Sequence, residues 1–113
     1  MSECIFCRIA QRGMKADIVH EDADILAFRD ISPKAPVHVL IIPKKHIASV
    51  DGLSDQDAPV MGKILLVAKK LAESEGCAGG YRLVVNNGQD AGQAVAHLHF
   101  HLLGGRKFAW PPG

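Results

Sequence analysis

Three histidines alternate with apolar residues near the end of this 113-residue chain, in the segment Ala96-His97-Leu98-His99-Phe100-His101-Leu102-Leu103. Neighbouring side chains of a β-strand point to opposite faces, so a strand over this segment places the three imidazoles on one face, about 7 Å apart. One imidazole nitrogen can attack a phosphorus atom while the other is held by a hydrogen bond, and a neighbouring imidazole can bind phosphate oxygens. The pattern therefore indicates phosphoryl-transfer chemistry, with a row of surface or metal-binding histidines as the alternative.

A second group able to do chemistry lies at the start of the chain. Cys4 and Cys7 have the C-x-x-C spacing, and Cys77 brings the number of cysteines to three. An odd number of cysteines with this spacing is typical of metal or redox chemistry rather than of a disulfide framework. The pair alone is a weak signal, because a structural zinc site normally needs four ligands.

Composition limits the partners of such a site. Apolar residues make up 48% of the chain, and 13 basic and 12 acidic residues leave a net charge of +1. This balance argues against binding of a long nucleic acid, while a single nucleotide needs only local donors. We expect one domain over residues 1–113. The sequence shows no secretory leader and no apolar run long enough to span a membrane, so we expect a cytoplasmic protein without a membrane partner.

Apolar patterning indicates the strands that would position the histidines. Two short apolar runs, 18–21 and 25–28, flank a polar turn and predict a hairpin. Residues 37–42 are rich in β-branched side chains and predict a buried strand that stops at Pro43. Further strands are expected over 81–86 and 96–103, with a polar loop over 87–93.

One long helix is expected over residues 58–75. Apolar side chains recur there at spacings of three and four, which places Val60, Ile64, Val67, Ala68 and Leu71 on one face. Asp57 or Ser54 can cap its start, and Gly76 can end it. Together with a short helical turn over 6–11, these elements predict an α+β fold: an antiparallel sheet of about five strands, one main helix and a short N-terminal helix.

The histidine segment resembles the signature of the histidine triad (HIT) superfamily, and the resemblance covers nearly the whole chain. It extends to Asp30-Ile31-Ser32-Pro33, Pro36-Val37-His38 and Ile42-Pro43-Lys44-Lys45-His46. The ending, from Gly104-Gly105-Arg106 to Trp110-Pro111-Pro112, resembles the Hint branch of nucleoside phosphoramidases. The resemblance implies that His99 attacks the α-phosphorus of a nucleoside phosphoramidate or adenylate. Water would then release the nucleoside monophosphate from a nucleotidyl-histidine intermediate.

The resemblance also implies roles for other residues. His101 would contact the phosphate, and His38 would belong to the surrounding histidine relay. Phosphate oxygens would be held by Asn86 and by the loop backbone at Gly92, Gln93, Ala94 and Val95, where a glycine lets bare N–H groups approach an anion. Asp30 would accept the ribose hydroxyls, and the base and sugar would contact Phe6, Ile9, Phe28, Ile31 and Leu40.

The residues alone leave other interpretations open. Phe28, Ile31 and Leu40 can be ordinary core residues, His38 a satisfied core histidine, and Asp30 a turn former. Ala94 departs from the Hint pattern, which usually has a serine there to help the leaving amine. The alternatives are a dinucleoside polyphosphate hydrolase of the same fold and a non-catalytic nucleotide-binding or interaction module. The Trp-Pro-Pro ending argues against the first, and Ala94 keeps the second open.

A metal site and a dimer follow from the same resemblance. Several bacterial HIT proteins resemble this chain in having two cysteines, a histidine after the second loop and the first triad histidine. We therefore expect a closed, structural zinc site formed by Cys4, Cys7, His46 and His97; the alternative is free cysteines and a solvated His46. A homodimer is expected through the helix and a strand edge, which would also suit so small a core.

Overall fold

A five-stranded antiparallel sheet forms the centre of the molecule, in a computed structural model that describes residues 4–113. Its strands lie in the order β1-β2-β3-β5-β4 and span Ile18–Glu21 (β1), Ile25–Arg29 (β2), Val37–Pro43 (β3), Tyr81–Val85 (β4) and Phe100–Gly104 (β5). The helices are α1, Ile5–Ala10, and α2, Ala58–Ser74. Short 3₁₀ turns cover Val50–Gly52, Asp55–Asp57 and Gln89–Ala91. The predicted fold class is confirmed.

Strand β3 is the middle strand and is buried along its whole length. Alternate side chains of the sheet point to opposite faces, so each face supports its own apolar cluster. The face under α2 contains Val39 and Ile41, packed with Ile64 and Leu102. On the opposite face, Phe6 and Ile9 of α1 pack against the sheet residues Leu26, Phe28, Leu40 and Ile42.

The boundaries of α2 follow its expected capping residues. Ser54 and Asp57 form a capping box around the 3₁₀ turn that leads into the helix, and Pro59 occupies the first turn. Pro59 is tolerated there because the first turn leaves its N–H groups without intrahelical partners. The chain leaves the helix at Gly76, which has a φ of +82°. The helix expected over 58–75 is thus confirmed to within one residue.

Three of the predicted strand ends are wrong by one residue. Strand β2 continues to Arg29, β3 includes Pro43, and β4 stops at Val85. Strand β5 differs more, because it begins at Phe100 and not at Ala96. Within residues 4–113 no helix combines the length and the hydrophobicity that crossing a bilayer requires.

Candidate active site and metal-ligand cluster

Of the three alternating histidines, only His101 belongs to the ladder of β5. The ladder with β3 ends at the pair Ile41–Phe100, because continuing it would set Leu98 opposite Pro43, which has no N–H to donate. Leu98 instead donates its backbone N–H to the carbonyl of Ile47 (2.6 Å). The expectation of one regular strand carrying all three histidines is therefore wrong, and each of them has its own surroundings.

His99 has a defined tautomer. Its Nδ1 lies 2.7 Å from the backbone carbonyl oxygen of His97. A carbonyl can only accept, so Nδ1–H donates and the lone pair of the neutral ring resides on Nε2. The side chain is 5% exposed, and its ring centroid lies 5.0 Å from that of His101 rather than at the expected 7 Å. The group that family resemblance assigns as nucleophile thus has Nδ1 held by a hydrogen bond, which leaves Nε2 as the nitrogen that bears the lone pair when the ring is neutral.

His101 and His38 meet across the β3–β5 pair. Nε2 of His38 lies 2.9 Å from Nδ1 of His101 and 3.4 Å from a carboxylate oxygen of Asp30. Burial lowers the pKa of His38, and the charge of Lys34 lowers it further while Asp30 raises it. Burial, followed by the neighbouring His99 and His38, lowers the pKa of His101 to about 4. Both rings are therefore neutral near pH 7.

A cavity of about 240 Å³ opens beside these histidines. Most of the residues expected to bind a nucleotide line it, namely Phe6, Phe28, Asp30, Ile31, Leu40, Ala94, Val95, His99 and His101. Its wall is largely apolar, with His99, His101 and Asp30 as the titratable groups beside Arg29. A larger groove of about 470 Å³ lies between Gly76 and Phe108, but none of the histidines lines it. The smaller cavity is therefore the candidate active site.

Four residues expected at the nucleotide lie outside this lining. Ile9 packs in the apolar cluster under α1. The Gln93 side chain bonds to the backbone of Gly88 and Val95 in its own loop and to the carbonyl of Ala48 in the segment after β3. Asn86 and Gly92 also lie outside the lining.

Sequence analysis missed Ile5, Ala16 and Arg29, which line the cavity. Ile5 and Arg29 adjoin residues that it did select, Phe6 and Asp30. Ala16 carried no signal of its own.

Phe6 connects the cavity to the rest of the face. Its ring is 5% exposed and makes edge-to-face contacts with Phe28 (5.4 Å between centroids) and His99 (5.1 Å). A third, longer contact reaches His97 at 6.0 Å. Because Phe6 precedes Cys7 in α1, the same short helix shapes the cavity and carries a cysteine of the second cluster.

Asp30 has one oxygen in a turn and one toward the site. Its Oδ1 accepts the backbone N–H of Ser32 at 2.8 Å, as an Asx turn does. Its Oδ2 faces His38. The turn-forming interpretation is thus observed, and it leaves the second oxygen facing His38.

The second cluster brings together Cys4, Cys7, His46 and His97, with one donor atom of each within 4.8 Å of the others. The two Nδ1 atoms are 3.2 Å apart, and three sulfur–nitrogen distances are 3.3–3.5 Å. A tetrahedral zinc ion with ordinary bond lengths separates two nitrogens by about 3.3 Å and a nitrogen and a sulfur by about 3.6 Å. The donor types and their spacing therefore fit such an ion.

The surroundings of the cluster are consistent with that fit. Nε2–H of the fully buried His97 donates to the carbonyl of Pro43 (2.8 Å), so its Nδ1 presents a lone pair to the cluster. Burial, and then the nearby Cys4 thiol, raise the pKa of Cys7. A cation between the two sulfurs would favour their thiolate forms. Cys77 lies apart from them, in the core under α2.

Comparison with known proteins gives one consistent result. The family model described as the HIT domain matches residues 11–108. An uncharacterised HIT-like protein of Synechococcus elongatus is 52% identical, with the whole of both chains covered. A solved HIT family hydrolase of Legionella pneumophila is 55% identical, with a TM-score of 0.96 over 98% of this chain and 100% of that one. A solved histidine triad nucleotide-binding protein of Candida albicans is 36% identical, with a TM-score of 0.82 over 96% and 83% of the two chains.

The region matched by the family model contains the sheet and the histidines of the candidate active site. The agreement in structure extends to the N-terminal helix, since the match to the Legionella protein covers 98% of this chain. The histidine pattern, the fold and these matches lead to one conclusion: the chain belongs to the HIT domain family.

Proposed function

We propose that this protein is a nucleotide hydrolase of the Hint type, which cleaves a nucleoside 5′-phosphoramidate or a related adenylate, with adenosine as the expected nucleoside. The observation that carries the proposal is His99. Its Nδ1–H is held by the carbonyl of His97, so the neutral ring has its lone pair on Nε2, and the ring lines a largely apolar cavity beside a neutral His101.

The chemistry would proceed in two displacements. The Nε2 lone pair of His99 forms a bond to the α-phosphorus, and the bond to the leaving nitrogen or acyl oxygen breaks, with the electron pair departing on that atom. The positive charge on the imidazole is stabilised by the Nδ1–H bond to His97. Water then attacks the same phosphorus while the P–Nε2 bond breaks and its electron pair returns to Nε2 of His99. The proton that the water loses passes to solvent and replaces the one that the leaving group takes up, so nucleoside monophosphate is released and His99 is regenerated.

The cavity suits the remainder of such a substrate. Phe6, Phe28 and Leu40 offer apolar surface to a base and sugar, and Asp30 offers an oxygen to ribose hydroxyls. Ala94 lines the cavity without a side-chain hydroxyl. A basic leaving amine then gains no proton from this position, so Ala94→Ser is expected to speed phosphoramidate cleavage and to change acyl adenylate cleavage little.

The test compares wild type, His99→Ala and His20→Ala on an adenosine phosphoramidate and on a diadenosine polyphosphate. His20 is the matched control, because it lies on β1, bonds to Asp22 in the turn that follows and does not line the cavity. We expect nucleoside monophosphate from the phosphoramidate, a loss of roughly 10³-fold or more in His99→Ala, and little change in His20→Ala. Rapid acid quench and mass spectrometry should detect a nucleotidyl adduct on wild type and none on His99→Ala.

Other outcomes separate the alternatives. Turnover of the diadenosine polyphosphate alone would replace the phosphoramidase proposal with the dinucleoside polyphosphate one. Binding of adenosine monophosphate without turnover of either substrate would make the protein a nucleotide-binding module. Equal rates in wild type and His99→Ala would reject His99 as the nucleophile.

We also propose that Cys4, Cys7, His46 and His97 hold a structural zinc ion, and that the protein works in the reducing cytoplasm, where such thiols persist. All four positions are taken by protein ligands, which leaves none open for a reacting water. The ion would secure α1 against the sheet, and with it the Phe6 wall of the cavity.

Zinc content of protein purified without chelator tests this assignment. About one zinc per chain is expected for wild type, and much less for Cys4→Ala. Cys77→Ala, a cysteine outside the cluster, is the control and should keep its zinc. A chelator should lower the melting temperature of wild type. Equal zinc in wild type and Cys4→Ala would reject the site.

We further propose a homodimer formed through β4 and α2. Strand β4 is an edge strand, and it exposes Tyr81 (38%) and Val85 (37%). Helix α2 exposes Leu65 (50%) and Leu66 (62%). An edge strand can pair with its own copy about a two-fold axis and so satisfy its free backbone groups. Sedimentation should show a dimer that Leu66→Glu dissociates and that Met14→Glu, at an exposed apolar residue of the N-terminal segment, leaves intact.

A further inference from the structure

A chain of hydrogen bonds runs from the C-terminal segment to His101. Arg106 donates from Nη2 (3.1 Å) and Nε (3.3 Å) to the backbone carbonyl of Lys34. The backbone N–H of Lys34 donates to Nδ1 of His38 (3.0 Å), and Nε2 of His38 lies 2.9 Å from Nδ1 of His101. Arg106 is 72 residues from Lys34 in sequence.

This series of hydrogen bonds determines which ring nitrogen of His38 and of His101 carries the proton. A backbone N–H can only donate, so Nδ1 of His38 accepts and the proton of the neutral ring is on Nε2. Whether that Nε2–H is directed at His101 or at Asp30, it faces Nδ1 of His101 at 2.9 Å. A second proton there would face the first, so Nδ1 of His101 accepts and Nε2 of His101 carries the proton.

The consequence concerns what His101 presents to a phosphate. His101 lines the cavity, and its Nδ1 edge is used by His38. The remaining ring nitrogen is therefore an N–H donor even while the ring is neutral. The opposite tautomer would offer a lone pair to an anionic oxygen and repel it, so the tautomer determines whether His101 assists or opposes phosphate binding.

Arg106 is the first residue in this series of hydrogen bonds, and it holds the loop that contains Lys34. Lys34 lies in the loop between β2 and β3, with its Nζ bonded to the carbonyl of Ser32 (2.8 Å). Arg106 reaches this loop because Gly105 turns the chain with a φ of +88°, at a point where a Cβ would lie 2.8 Å from Pro36. Its guanidinium also stacks on the ring of Phe108, 4.2 Å from the centroid.

We propose that Arg106 is a positioning residue for the hydrolytic site. Its guanidinium holds the carbonyl of Lys34 and so fixes the backbone of that residue, whose N–H, in the preceding peptide unit, selects the Nε2–H tautomer of His38 and, through it, that of His101. The catalytic consequence rests on the proposed hydrolase function, whereas the tautomers themselves can be observed without any substrate.

The test reads the tautomers by imidazole ¹⁵N NMR at neutral pH in wild type, Arg106→Ala, Arg106→Lys and Arg82→Ala. Arg82 is the matched control, because it is the other guanidinium over Phe108 (5.0 Å) and bonds to Ala109 instead of Lys34. Wild type should show an unprotonated Nδ1 and a protonated Nε2 on both His38 and His101. Arg106→Ala should mix the two forms, Arg106→Lys should partly restore the wild-type pattern, and Arg82→Ala should match wild type.

The kinetic arm uses the substrate that wild type cleaves. Arg106→Ala should lower kcat by roughly tenfold, which is the factor expected from the loss of one hydrogen bond of ordinary strength. The change in KM should be smaller. Lys34→Ala keeps the peptide N–H and should keep the tautomers.

A protonated Nδ1 on wild-type His38, or an Arg106→Ala variant with unchanged tautomers, would overturn the proposal. So would an equal effect of Arg82→Ala, because that result would trace the change to a general loosening of the C-terminal segment. If wild type cleaves no substrate, the proposed hydrolase function is wrong, but the NMR result still decides whether Arg106 fixes the tautomers.

Discussion

Shortening Phe6 tests whether α1 is a structural part of the cavity wall. Phe6 is 5% exposed and contacts Phe28 and His99 edge to face, while Ile31 lines the same cavity at 99% exposure. Removal of the Phe6 side chain should therefore cost folding free energy as well as substrate binding. The same truncation at Ile31 should affect binding alone.

The expected size follows from these contacts. A buried Phe→Ala change costs about 3–5 kcal/mol, and α1 has only six residues, so partial collapse onto the gap places Phe6→Ala near 3 kcal/mol. Phe6→Leu keeps most of the apolar burial and loses the aromatic edge contacts, which are worth about 0.5–1.5 kcal/mol each, so about 1–2 kcal/mol is expected. For a domain of this size the melting temperature should fall by roughly 5–10 °C in Phe6→Leu and by more in Phe6→Ala.

The assay is urea denaturation, with all variants at the same protein concentration and metal content, because a dimer or a bound ion shifts the apparent stability. KM for the cleaved nucleotide is measured on the same samples under conditions where each variant is folded. Ile31→Ala should raise KM with an unfolding free energy within about 0.5 kcal/mol of wild type. A cost below about 1 kcal/mol for Phe6→Ala, or an equal cost for Ile31→Ala, would show that Phe6 is not part of the core.

Three further predictions concern the sheet around the site. The first concerns His101, whose pKa is about 4 in the folded protein instead of 6.5. Protonation of this ring therefore does not affect the free energy of unfolding above pH 6.5 and lowers it by up to about 3 kcal/mol as the pH falls toward 4. The urea midpoint of His101→Asn should then change less between pH 7 and pH 4.5 than that of wild type. Gly104→Ala places a Cβ 2.5 Å from Sγ and 2.9 Å from Cβ of Cys77, so thermal denaturation should show a loss of roughly 1–3 kcal/mol in the free energy of unfolding. Adding Cys77→Ala should reduce this loss, and additive effects of the two substitutions would contradict the clash. Arg29→Met removes an ion pair in which two guanidinium nitrogens bond to the two carboxylate oxygens of Glu75 (2.7 and 2.9 Å). The free energy of unfolding should fall by about 1 kcal/mol in low salt and by less in high salt, whereas a loss that does not depend on salt would point to packing alone.

The sequence by itself determined the elements and much of the chemistry. A run of β-branched apolar residues identifies β3, which is buried along its whole length, and apolar spacings of three and four identify α2, which is buried on one face. The histidine pattern and the Cys4–Cys7 spacing pointed to the groups that the structure brings together at the cavity and at the metal-ligand cluster. These signals are local, so they can be recognised without knowledge of the rest of the fold.

Tertiary structure decided how those groups are presented. Pro43 has no N–H with which to continue the ladder, and its carbonyl accepts a hydrogen bond from the ring of His97. His97 and His99 therefore lie outside the strand that their spacing predicts. The proton positions on His38 and His101 depend on the backbone N–H of Lys34, a residue whose carbonyl is held by Arg106 from 72 residues away. Such contacts join segments that have no common periodicity. Alternation along a strand therefore predicts which residue types meet at a site, while the packing of distant segments determines which nitrogen of each ring carries the proton.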